Sequence, residues 1–78
     1  MSYEDILHKV IAVFATMTDA EEITEESELI EDLEISSMDI LMLISSLEEE
    51  FKTKISEKEV RKMVTVGDVA DTIERLLG

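Results

Sequence analysis

Cysteine is absent from the chain, so neither a disulfide nor a thiolate metal site can be built, and any thiol chemistry must be imported. A reducing cytoplasm suits such a protein. Proline and tryptophan are also missing, which is consistent with helices joined by loops whose turns are set by apolar anchors. The only glycines are Gly67 and Gly78. That excludes the calcium loop the many acids would otherwise suggest, because an EF-hand needs glycine at its sixth position and oxygen ligands at alternate ones. No apolar run approaches the ~20 residues of a membrane span, and no signal or lipidation motif is visible, so a soluble protein without stable membrane insertion is expected. Basic residues are scarce, seven against twenty acids for a net charge of −13. Lys9 is followed by no other until Lys52, while thirteen acids lie between Asp19 and Glu50. Such a surface repels a phosphate backbone, which excludes nucleic acid as a partner, and suits basic protein patches.

What is present is 78 residues, 45% of them apolar, enough for one small domain spanning 1–78. Residues 2–17 read as a helix opened by a Ser2-to-Asp5 capping box, with Ile6, Leu7, Val10, Val13, Phe14 and Met17 on its core face. His8 lies at the edge of that stripe without a serine or carboxylate partner at a meaningful spacing, and no chemistry is assigned to it. From Thr18 to Ile35 the periodicity lapses, and Ile23, Leu29, Ile30, Leu33 and Ile35 are expected to pin a long loop to the core. A brief helix opens at Ser56 and runs to about Lys62, with Val60 and Met63 facing in. Thr65 and Asp68 open a last helix whose buried side is Val69, Ile73, Leu76 and Leu77. No useful β-alternation occurs. The fold class is therefore all-α: a small four-helix bundle of three longer helices and one short one, with a long loop between the first two.

The informative stretch is Ser36-Ser37 and the helix after it. Ser36 fits the N-cap, with Asp39 three residues on completing a capping box, which makes Ser37 the first helical residue and leaves its hydroxyl free. Ile40-Leu41-Met42-Leu43-Ile44 then places apolar residues all round the helix, since successive positions turn by about 100°. Ile40, Leu43, Ile44, Leu47 and Phe51 gather as the core stripe. Met38, Leu41, Met42 and Ser45 fall opposite, continued by Glu48 and Glu49. An exposed methionine and leucine face rimmed by glutamates and beginning at a free serine has the character of a docking surface.

Glu31-Asp32-Leu33, Ser37-Met38-Asp39 and Leu47-Glu48-Glu49-Glu50-Phe51 together resemble the acyl carrier protein family, whose pattern is E-D-L-G-x-D-S-L-D with a helix closing on L-E-E-E-F. Ser27-Glu28-Leu29-Ile30 and Thr65-Val66-Gly67-Asp68 extend the likeness over nearly the whole chain. The resemblance implies a carrier rather than an enzyme. In it Ser37 would bear a covalent 4′-phosphopantetheine arm derived from coenzyme A and attached by a phosphopantetheinyl transferase. Acyl groups would ride on the arm as thioesters between loading and processing enzymes of fatty acid or related lipid and polyketide biosynthesis. Those enzymes would bring basic patches to Met38, Asp39, Leu41, Met42, Glu48 and Glu49 of a cytoplasmic monomer. Ser36 stands in place of the motif's aspartate, Met38 of its leucine and Glu34 of its glycine, and Met42 falls where many bacterial members carry a glutamate. These departures bear on which modifying enzyme and partners are accepted. A specialised aminoacyl or D-alanyl carrier, and an unmodified acidic module binding a basic amphipathic helix, are the alternatives.

Overall fold

Every helix begins at a hydroxyl residue whose side chain accepts the backbone N–H three positions on. The computed structural model describes residues 2–19 and 21–78, with Met1 and Ala20 outside that description. Ser2, Ser36, Ser56 and Thr65 accept from Asp5, Asp39, Glu59 and Asp68 at 3.2, 3.2, 3.3 and 3.1 Å. They open α1 (Tyr3–Ala15), α2 (Ser37–Phe51), α3 (Glu57–Arg61) and α4 (Val66–Leu77). Each cap satisfies a first-turn donor that the helix itself leaves unbonded. Among the described residues only Thr65 completes a reciprocal box, since Asp68 Oδ2 accepts the Thr65 N–H at 3.0 Å and also that of Val64 at 2.9 Å; the boxes expected at Ser2 and Ser36 form only their serine half.

The core draws Ile6, Val10 and Phe14 from α1, Leu43, Ile44, Leu47 and Phe51 from α2, and Val66, Val69, Ala70 and Ile73 from α4. Leu29, Leu33 and Ile35 enter it from the long loop and Ile55 from the α2–α3 connector. Helix α1 packs against both α4 and α2. No α3 side chain is fully buried; Val60 and, just beyond the helix, Met63 lie along the edge of the core. Arg75 of α4 grips Glu59 of α3 through two bonds, at 2.7 and 3.3 Å. That guanidinium holds the Glu59 carboxyl below its usual range.

The loop from 16 to 36 is stitched to the start of α4. Leu29 N–H donates to the Val64 carbonyl at 2.9 Å, Val66 N–H to Ser27 at 3.0 Å and Gly67 N–H to Glu25 at 2.8 Å. Glu28 and Thr65 form an isolated antiparallel bridge. A Cβ on Gly67 would lie 3.0 Å from the Glu25 carbonyl oxygen, tighter than an ordinary contact, so this close crossing favours a glycine. Tyr3 Oη donates to Glu25 Oε2 at 2.8 Å and ties the same loop to α1. Partial burial, helped by that carboxylate, pushes the Tyr3 phenol up to about 12.

Three further expectations need correction. α1 ends at Ala15, two residues short of Met17, because Thr16 and Met17 donate three residues back, to Val13 and Phe14, and tighten the last turn. Met17 still packs on the core, which is why the periodicity overran the helix. Ile30 is no anchor: it is 64% exposed, because the turn over residues 29–33 directs Leu29 and Leu33 inward and leaves Ile30 outside. Leu76 and Leu77 are exposed as well, since the buried stripe of α4 runs out at Ile73 and no described residue covers the final turn. The brief helix ends where expected, at Arg61 with Lys62 as its C-cap.

Candidate attachment site

Three residues before Ser36 shape the approach to α2. Leu33 and Ile35 are buried on either side of exposed Glu34, and the backbone turns between them. Glu34 does this at φ 52°, the left-handed region. Ile35 N–H then bonds the Leu29 carbonyl at 3.0 Å. Asp32 spends its carboxylate on the loop, accepting Glu28 N–H at 2.8 Å. The acidic motif is thus a scaffold that delivers Ser36 to the cap position.

Ser36 and Ser37 are both exposed, but their hydroxyls differ. Ser36 Oγ accepts Asp39 N–H, while Ser37 Oγ has no hydrogen-bond partner among the described residues. The Ser37 and Met38 N–H groups are likewise unpaired among the described residues, as the first donors of a helix are. A phosphodiester on Ser37 Oγ would meet these two donors and the positive end of the α2 dipole, so the local chemistry fits a phosphate-linked arm.

Beyond Ser37, α2 exposes the face read from its periodicity. Met38 is 78%, Leu41 69% and Met42 64% exposed, while Leu43, Ile44, Leu47 and Phe51 on the other side are buried. Ile40 is half-buried at the boundary and Asp39 half-buried in the first turn. The two glutamates further along are not equivalent. Glu49 is exposed, whereas Glu48 is half-buried and its Oε2 accepts the N–H of buried Ile55 at 2.7 Å, fastening the connector after α2.

A cleft of about 360 Å³ opens between the first turn of α2, the long loop and the end of α3. Leu29, Ile30, Ile40, Met63 and Val64 line it with apolar surface beside Glu28, Glu31 and Arg61. Ile30 and Val64 went unassigned to any surface from sequence. No local spacing signals this, because at about 100° per residue Ile30 stands beside the Leu29 and Leu33 row rather than opposite it. His8 is exposed on α1. Among the described residues no group of three or more histidine or acidic side chains is arranged to hold a metal ion, and no helix is long and apolar enough to cross a membrane.

The family model described as a phosphopantetheine attachment site matches residues 6–73, which defines the class as carrier domains bearing that arm. An acyl carrier protein of Chlamydia felis is 45% identical over 78 residues, covering all of this chain and 99% of its own. One from Thermotoga maritima is 37% identical over 79 residues, covering 99% and 98%. The solved structure of an acyl carrier protein from Enterococcus faecalis superposes with a TM-score of 0.82 at 31% identity, covering 97% of this chain and 99% of that one. The chain belongs to the acyl carrier protein family. Membership makes it a carrier rather than an enzyme, with a covalently attached 4′-phosphopantetheine, and fatty acid biosynthesis is the family's usual role. Family members meet biosynthetic enzymes in general.

Proposed function

We propose that Ser37 is the attachment residue, and that this single carrier domain works as a cytoplasmic monomer. The observation that carries the assignment is the division of labour between adjacent serines: Ser36 Oγ is committed to the cap, and Ser37 Oγ is exposed and unbonded among the described residues. When attached, the arm supplies the thiol that this cysteine-free chain lacks, and that thiol holds the acyl group as a thioester. The residues of the chain do the rest. The first turn of α2 offers two N–H donors to the phosphodiester, and Leu33 and Ile35 fix the serine's approach. Met38, Leu41 and Met42 give a phosphopantetheinyl transferase and the acyl-handling enzymes an apolar face to cover, with Asp39 at its start. Glu49 at the rim steers basic patches, and Glu48 adds its charge while holding the connector.

Intact mass after co-expression with a phosphopantetheinyl transferase tests the site. Wild type and Ser36→Ala should gain the mass of the arm and Ser37→Ala should not; the reverse pattern would move the site to Ser36. An unmodified wild-type chain would instead favour the interaction module. Docking separates by kinetics. Glu49→Lys should slow association several-fold and flatten its salt dependence, because rim charges act on encounter. Glu48→Lys also removes the bond to Ile55 and is not a clean charge test. Apolar Met42, where many bacterial members carry an acid, favours partners for a specialised acyl or aminoacyl cargo as the second reading, which loading assays with each cargo class would decide.

A further inference from the structure

The two most exposed methionines among the described residues are four positions apart on α2, with Leu41 between them on the same face. Met38 and Met42 are 78% and 64% exposed, whereas Met17 and Met63 pack against the core. At i, i+4 spacing the two thioethers lie one above the other beside Ser37. Nothing shields them: the acids nearby are anions that cannot be oxidised, and the chain has no cysteine to consume an oxidant first. A thioether is apolar and polarisable, and its sulfoxide is a polar hydrogen-bond acceptor.

We propose that Met38 and Met42 form a paired oxidation site that switches the docking face off. The reading of that face as a docking surface is the one on which this rests. A peroxide is the co-reactant. The sulfur lone pair attacks one oxygen of hydrogen peroxide, the O–O bond breaks as the S–O bond forms, and the departing hydroxide takes up the second proton to leave as water. Sulfur loses two electrons and peroxide gains them. The sulfoxide oxygen prefers water to an apolar partner surface, so covering it without a donor weakens docking by roughly tenfold. Helix α2 is untouched, because its core stripe lies on the opposite side. Sulfoxide reductases specific for each epimer, with a thiol reductant, reverse the change.

The test uses the full chain before arm attachment, so that no arm thiol competes for the oxidant. After graded hydrogen peroxide and removal of the excess with catalase, peptide mapping should find sulfoxide at Met38 and Met42 before Met17 and Met63, with helical circular dichroism unchanged. The kcat/KM of a phosphopantetheinyl transferase on the oxidised chain should fall roughly tenfold, mainly through KM, and recover after treatment with both reductases. In a Met38→Leu/Met42→Leu chain the ratio of rates with and without peroxide should stay near one, whatever its starting rate. Equal oxidation of Met63, or an oxidised chain modified at the untreated rate, overturns the proposal. A chain that accepts no arm even before peroxide overturns the attachment reading itself, and the peptide map distinguishes that failure from the others.

Discussion

Helices α2 and α4 both expose leucines, and the two exposures mean different things. In α4 the buried residues Val66, Val69, Ala70 and Ile73 make one stripe, and Leu76 and Leu77 come out of it only in the uncovered last turn. Their exposure marks the end of a helix. In α2, Met38, Leu41 and Met42 stand out in the first two turns, directly after a working cap and across the helix from four fully or nearly buried residues. A surplus of apolar side chains in the best-anchored part of a helix is a surface held in place; the same surplus at a terminus is slack.

The contrast can be broken most forcefully from the core. Phe14→Ala removes a fully buried ring and should cost about 3–5 kcal/mol in denaturant unfolding, whereas Leu41→Gln should stay within about 0.5 kcal/mol and retain its helical signal. A Leu41→Gln chain as destabilised as the core variant would erase the distinction between the two faces of α2. Next come the caps. Thr65→Ala removes one half of the full box and should cost about 1–2 kcal/mol, more than Ser36→Ala at the half-made cap of α2.

Smaller effects, of opposite sign, are expected where the backbone is left-handed. Glu34 and Lys52 sit at φ 52° and 51°, so Glu34→Gly and Lys52→Gly should each stabilise by about 0.5–1 kcal/mol. If Glu34→Gly also leaves arm attachment unchanged, the strain ahead of Ser37 has no part in recognition. The smallest effect is alkaline. Tyr3 titrates near 12 rather than 10, so the stability its protonated phenol adds is complete below about pH 10 and is lost as pH rises through about 12. Tyr3→Phe should flatten that loss in urea titrations between pH 9 and about 12.

Helix positions and the two-sided character of α2 were legible because they depend on local chemistry: a hydroxyl before a helix former, and 3.6-residue spacing. Ser36 and Ser37 could be told apart for the same reason. What stayed hidden depends on distant partners. Nothing near Ile30 in the chain reveals that Leu29 will bond Val64, nor does the neighbourhood of Leu76 reveal that no residue covers it. Glu48 reads as one of three consecutive acids, and only the return of Ile55 past the end of α2 gives it a different duty.

The three bonds between residues 25–29 and 64–67 also set an order of events in time. The lead-in to Ser37 is shaped by backbone that is made much later in synthesis, so an emerging chain can coil α2 long before it can seat the loop. A modifying enzyme that requires the seated loop therefore has to wait for the beginning of α4, and that makes the crossing at Gly67 a checkpoint for a finished protein.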